Sequence, residues 1–224
     1  MSAPDGRDGV ADLLQQLCRT LTTDLAVMGV AVNLMSAAGS EGVVAASDDR
    51  SRDVDELQFA TGEGPCHDAY ASRRPVLTPD LRAVTHGLWP AYTSAAREAG
   101  LSAVFAFPLH IGAVVLGVMD VYADQPGSLS REQVAAALTK ARLATEILLD
   151  GDLVTADGRP DRDLSTTLDH RAEIYQAQGM VMVDLGVDPT EALSRMRAHS
   201  FGNEKPFLDL ARDIISGFVL PVDA

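Results

Sequence analysis

Residues 102–123 read SAVFAFPLHIGAVVLGVMDVYA. Valine and aromatic residues crowd two runs, SAVFAFPLHI (102–111) and AVVLGVMDVYA (113–123), which meet at Gly112. Branched and aromatic side chains suit the pleated surface of a strand, and one glycine between two such runs predicts a tight antiparallel pair. The runs are apolar almost throughout instead of alternating, so they are expected centrally in a sheet. Pro108 has no N–H to give a ladder and is expected at a bulge or an unpaired position.

Upstream, VADLLQQLCRTLTTDLAVM (10–28) places Val10, Leu13, Leu14, Leu17, Leu21 and Leu25 at helical spacing. VAVNLMS (30–36) and EGVVAAS (41–47) read as a hairpin. SRDVDELQFATGEGP (51–65) reads as a polar-to-apolar passage ending in a turn at Gly62, Gly64 and Pro65. CHDAYASRR (66–74) predicts a short helix, RPVLTPDL (74–81) an extended segment, and LWPAYTSAAREAG (88–100) a helix stopped by Gly100.

Downstream, SLSREQVAAALTKARLATEILL (128–149) opens with Ser130 and Gln133 in capping-box spacing. Val134, Leu138, Ala141, Thr145 and Leu148 then form the seam of a pairing helix or a core stripe. The following segment is dense in charge, glycine and proline and reads as a linker. Helices are expected at 164–185, 189–201 and 206–218, the second opened by Asp188-Pro189-Thr190-Glu191, an N-cap with a reciprocal glutamate. The fold class is therefore α+β: an antiparallel sheet with flanking helices at 8–150, a linker at 151–162 and a three-helix module at 163–220.

Composition narrows the partners. The chain has 224 residues, 46% of them hydrophobic, and a net charge of −14. Such a body repels polyanions, so any nucleic-acid contact must come from a local cationic patch. No apolar run approaches the roughly 20 residues that span a bilayer, and MSAPDGRDGV (1–10) lacks a secretory pattern, so a cytoplasmic protein without membrane contact is expected. Cys18 and Cys66 have no metal-ligand or CxxC spacing.

Catalysis has little support. Cys66 and His67 are adjacent, which implies no nucleophile–base geometry, and the five histidines are scattered. No catalytic residue, metal site or cofactor is assigned. Phe59, His67, Trp89, Phe105, Phe107 and Tyr122 come from segments expected to meet on one side of the sheet, as a small-molecule pocket or simply as core.

The last helices hold five basic residues against eight acidic ones between 164 and 220, so charge alone nominates no nucleic-acid module. Packing says more. RAEIYQAQGMVMVDLG (171–186) sets Gly179 inside a helical pattern, at a cost of about 1 kcal/mol against alanine. The stripe Leu164, Leu168, Ala172, Tyr175, Gly179, Met182, Leu185, with Ala177 beside Gly179, predicts a point where another helix crosses closely. Ala192, Met196 and His199 line the second helix, and Phe207, Leu208, Ala211, Ile214 and Ile215 the third.

At these residues the chain closely resembles the ANTAR module, a three-helix RNA-binding domain of bacterial transcription antitermination regulators. The resemblance rests on Ala177-x-Gly179, Met182, Gly186-Val187, Glu191-Ala192-x-x-x-Met196-Arg197, Asn203 and Leu208-x-Leu210-Ala211-x-x-Ile214. The first part, with LQFATGEGPCHDAY (57–70) and the strand pair, is similar to a GAF sensory domain of the actinobacterial group that carries ANTAR behind it.

That resemblance implies a signal-responsive antitermination regulator, not an enzyme, whose module binds leader-RNA hairpins as a homodimer. Arg195, Arg197, Asn203, Lys205 and Arg212 would be the RNA-contacting residues, with Ala177, Gly179, Met182, Ala192 and Ala211 setting the shape. The GAF part would sense a small molecule. The family's frequent lysine between the alanine and the glycine is Gln178 here, and two linked weak sites would restore affinity by about 10²–10⁴. The alternatives are a GAF-based ligand- or redox-handling enzyme using Cys66 or His67, and a GAF-linked DNA-binding regulator.

Overall fold

The structure, a computed structural model, describes residues 6–36, 39–84, 87–150 and 169–221. Its centre is a five-stranded antiparallel sheet in the order β2-β1-β5-β4-β3. The strands are β1 (Gly29–Ser36), β2 (Gly39–Ala46), β3 (Val76–Thr78), β4 (Ala103–Ile111) and β5 (Val114–Ala123). The stretch around Gly112 is thus the expected central pair, β5 lying between β1 and β4. Pro108 stands opposite Val118, one residue before the bulge at Leu109/His110, and β3 has already ended opposite Ala106.

Period two sorts the strand side chains. Phe105, Phe107, Met119 and Val121 face one side, where α1 (Gly6–Leu25) and α5 (Arg131–Asp150) bury Leu14, Leu17, Leu21, Ala141 and Leu148 against them. Val104, Asp120 and Tyr122 alternate with these and face α2 (Asp49–Thr61), α3 (Pro65–Ser72) and α4 (Pro90–Glu98). At Gly117 the two strands approach so closely that a Cβ would strike the backbone carbonyl of Asn33.

The box at Ser130 is formed: Gln133 N donates to Ser130 Oγ at 3.2 Å and Ser130 N donates to Gln133 Oε1 at 2.8 Å. Gln133 Nε2 also donates to the Leu25 carbonyl at 3.1 Å, joining the start of α5 to the end of α1. Within the chain the seam is a core stripe along Ala141, Thr145 and Leu148 with Val134 packed at its margin, whereas Leu138 is exposed.

One expected passage is a helix instead. Residues 49–61 form α2, capped by Asp48 Oδ1 accepting from Ser51 N at 2.7 Å and closed by Gly62 at φ 73°. Its buried positions, Ser51, Val54, Asp55, Gln58 and Phe59, keep helical spacing, but three of them are polar. A search for apolar periodicity misses such a face.

The C-terminal module consists of α6 (Asp169–Leu185), α7 (Pro189–Gly202) and α8 (Phe207–Ile215). Asp188 caps α7 by accepting from Glu191 N at 2.9 Å, whereas the Glu191 carboxylate turns to Arg195 instead of closing the box. Ala177, Ala192 and Ala211 are fully buried at the centre of the module with Ile174, Val181, Met196, Leu210 and Ile214. Small residues there let the axes approach.

Gly179 does not share that role, because a Cβ added to it would meet nothing within 4 Å. The crossing is made at Ala177 alone, and the inward stripe is Ile174, Ala177, Val181, with Met182 packed at its margin and Tyr175 exposed. The continuous run Met180–Val183 is apolar on every side of the helix, so its spacing did not mark one face. Leu164, Leu168 and the linker at 151–162 lie outside the described residues.

Candidate functional site

The first site is a buried polar cluster between the sheet and α2–α4. Asn33 on β1 donates through Nδ2 to Asp55 Oδ1 at 3.2 Å and to Asp120 Oδ2 at 3.1 Å. The Tyr122 hydroxyl donates to Asp55 Oδ1 at 2.5 Å. Cys66 Sγ lies 3.4 Å from Asn33 Oδ1 and 3.6 Å from Met35 Sδ. Gln58 Oε1 accepts from Cys66 N at 2.7 Å, and the Gln58 carbonyl meets His67 Nε2 at 3.0 Å. Alternation along β1 and β5 brings Asn33, Asp120 and Tyr122 to one face, and helical spacing on α2 brings Asp55 and Gln58 down to meet them.

Burial dominates the electrostatics here. Asp120 is held well above the ordinary carboxylate range, first by loss of water and then by Asp55. Burial likewise raises the Tyr92 and Tyr122 hydroxyls, with the two carboxylates adding to it. The Cys66 thiol is pushed up by burial and by Asp120 and Asp55, and Cys18 rises to about 12. A raised thiol has little thiolate at neutral pH, the reverse of what a reactive cysteine needs. Three buried polar atoms of this region, Asp120 Oδ1, the Tyr92 hydroxyl and Gln58 Nε2, have no hydrogen-bond partner among the described residues. Leaving such an atom without a partner costs about 1–3 kcal/mol.

The six aromatic and histidine candidates do not form one pocket. Phe105 and Phe107 face α1 and α5. Trp89 and Tyr122 are on the opposite side of the sheet. His67 binds the end of α2, and Phe59 packs with the C-terminal helices instead of the sheet domain's core. The strand period separates Phe105 and Phe107 from Tyr122, and of these three it is Tyr122 that belongs to the polar cluster. Asp55, Asp120, Asn33 and Gln58 were missed because single polar residues in apolar strands and an unrecognised helix gave no linear pattern.

The second site is the cationic surface of the C-terminal helices. Arg195 Nε donates to Glu191 Oε1 at 2.7 Å. Arg212 Nε donates to Glu173 Oε2 at 2.8 Å across α6 and α8, with Asp209 Oδ1 3.6 Å from its Nη1. Lys205 Nζ pairs with Asp213. Asn203 Nδ2 donates to the His199 carbonyl at 2.8 Å, helping to close α7. Each of these polar groups is therefore engaged within the module.

Arg197 is engaged differently. Its Nε donates to the Phe59 carbonyl at 3.1 Å, and its guanidinium carbon sits 5.3 Å from the centre of the Phe59 ring. Phe59 is 3% exposed, packs edge-on against Phe207 with centroids 6.0 Å apart, and belongs to the same apolar cluster as Ala177, Met196 and Ile214. The last turn of α2 thus docks on α7 and α8.

Family profiles match both parts of the chain: the GAF domain over residues 8–148 and the ANTAR domain over residues 162–215. Among solved structures, the chain is similar to the GAF domain/HD domain protein from Geobacter sulfurreducens (15% identity, TM-score 0.52, covering 68% of this chain and 99% of that one). It is also similar to a type II free methionine-R-sulfoxide reductase from Thermoplasma acidophilum (14% identity, TM-score 0.51, 65% and 96% covered). A third is GAF3 from Slr1393 of Synechocystis (12% identity, TM-score 0.51, 64% and 96% covered). At these identities the likeness shows the fold alone. The curated proteins gave no match. The polar-cored sheet domain and the small three-helix bundle behind it belong together in one description: the chain is a member of the GAF family that carries an ANTAR domain as its output module.

Proposed function

We propose that this protein is a cytoplasmic, non-enzymatic regulator of transcription antitermination, in which the ANTAR module binds hairpins of a leader RNA and the GAF domain responds to a small-molecule signal. The observation that carries this reading is the order of the two domains, sensor first and RNA-binding output second. Arg195, Lys205 and Arg212 form exposed or half-exposed ion pairs with Glu191, Asp213 and Glu173. Surface pairs of this kind contribute about 0–1 kcal/mol, so phosphates can replace the carboxylates at small cost. Exposed loop bases would be read while these cations hold the flanking backbone. Asn203 would shape the turn beside the RNA through its bond to His199. With a net charge of −14, the chain is expected to need two modules acting on two hairpins, and its affinity to fall steeply with salt.

The signal end of this reading is the buried cluster. Asp120 Oδ1, Gln58 Nε2 and the Tyr92 hydroxyl, which have no hydrogen-bond partner among the described residues, are the polar groups of that cluster through which a signal would act.

The test is equilibrium binding of the full chain to a two-hairpin RNA and to duplex DNA of equal length over a series of salt concentrations. A Lys205→Ala, Arg212→Ala double variant should bind the RNA more weakly, and its salt slope should fall by about one per lost phosphate contact. Equal affinity for duplex and hairpins, or no effect of the double variant, would remove the RNA reading or its site.

A further inference from the structure

We propose that the end of helix α2 is an autoinhibitory latch: Phe59 and its carbonyl hold Arg197 of the ANTAR module, keeping that arginine from RNA until the sensory domain lets α2 go. This rests on the RNA-binding reading above and specifies how the same site is regulated.

Four features build the latch. A helix leaves its last carbonyls without intrahelical donors, and its C-terminus carries a partial negative charge. At the end of α2, Gly62 N and His67 Nε2 take the Gln58 carbonyl, Thr61 Oγ1 takes that of Leu57, and Arg197 takes that of Phe59. The guanidinium is therefore a capping donor on a helix of the other domain, 138 residues away in sequence. The Phe59 ring then completes the module's apolar cluster through Phe207, so arginine and phenylalanine are held by each other's neighbours. Finally, Gly62 passes so close beneath Arg197 that a Cβ there would come within 2.9 Å of Nη1 and 3.0 Å of Cδ.

The same helix turn reaches the buried cluster. Asp55 and Gln58 stand four and one residues before Phe59, Asp55 bonded to Asn33 and Tyr122 and Gln58 bonded to Cys66 N. A change in who bonds Asp55 or Gln58 alters the seating of α2, and Phe59 and its carbonyl move with the helix as one rigid element. The two ends of the device are one helical turn apart, so no long chain of couplings is required. A signal works here by binding the released arrangement more tightly than the latched one.

The experiment uses the full chain, Phe59→Ala and Gly62→Ala, with a two-hairpin RNA as probe and circular dichroism as the check of folding. Gly62→Ala disturbs Arg197, and strains the left-handed cap of α2, without removing the ring. Hydrogen exchange in 189–202 is measured without RNA. Phe59→Ala should bind the RNA at least tenfold tighter than the parent, Gly62→Ala about threefold tighter, and exchange in 189–202 should rise in both. If Phe59→Ala fails to fold, Gly62→Ala carries the test. Unchanged exchange and unchanged or weaker RNA binding in a folded variant overturn the latch. Raised exchange with no RNA binding by any of the three proteins supports the intramolecular clasp and overturns the RNA reading instead.

Discussion

The Tyr122 hydroxyl donates to Asp55 Oδ1 at 2.5 Å, tying the central strand β5 to helix α2 in a fully buried setting. Both partners are needed where they are: the tyrosine has no water to turn to, and the carboxylate relies on donors from Tyr122 and Asn33. Tyr122→Phe deletes one donor and leaves the acceptor in place. We expect a loss of about 1–3 kcal/mol, the cost of an unmet buried polar group. Urea unfolding followed by the fluorescence of Trp89, in the same sheet-face cluster, measures it; an unmoved midpoint would show that the bond stabilises nothing.

Asp120 gives a pH signature. Its folded-state pKa is raised above the ordinary 3.8, so over the range from there upward the folded protein holds more protons than the unfolded one. Stability from this group is therefore fully present at low pH and is lost as pH climbs toward the raised value. Asp120→Asn keeps an oxygen for Asn33 and removes the ionisation. The variant should be more stable than the parent at pH 7 and have a flatter stability profile above pH 4. A steeper decline in the variant would contradict the assignment.

The two thiols should be inert. Cys18 and Cys66 are both buried, with pKa values raised by desolvation first. At pH 7.5 the native protein should resist a disulfide reagent such as Ellman's, and both cysteines should react once guanidinium unfolds the chain. Rapid native labelling of Cys66 would revive a thiol-based activity.

Two substitutions in the output module should have opposite signs. Gly179→Ala adds a methyl group where nothing lies within 4 Å, so a gain of about 0.5–1 kcal/mol from helix propensity is expected. Ala211→Leu forces three methyl-sized units into a site with no exposure, at a cost of about 1–3 kcal/mol. Thermal melts of both variants decide it, and a destabilising Gly179→Ala would mean that another helix does press on that position.

Much of the fold is legible in one dimension because its cores are apolar and periodic. The pair around Gly112, the stripe Leu14–Leu17–Leu21 and the cap at Ser130 each carry a local signal that tertiary contacts reinforce. Helix α2 is illegible for the opposite reason. Its inward face is Ser51, Asp55 and Gln58 beside Val54 and Phe59, residues selected by a polar interior. Only its ends announce it, Asp48 as cap and Gly62 as stop. The site suffers the same way: Asn33, Asp55 and Asp120 come from three separate elements and meet only in space. Arg197 stands out in the sequence as a cation on a helix, but its partner is a carbonyl, which every residue has.

The bond from Gln133 to the Leu25 carbonyl joins two helices that lie far apart in sequence. The first helix leaves the ribosome with its inner face bare and stays incompletely covered until the fifth follows more than a hundred residues later. The sheet domain therefore closes last at its own beginning, once both helices are available to pack on the sheet.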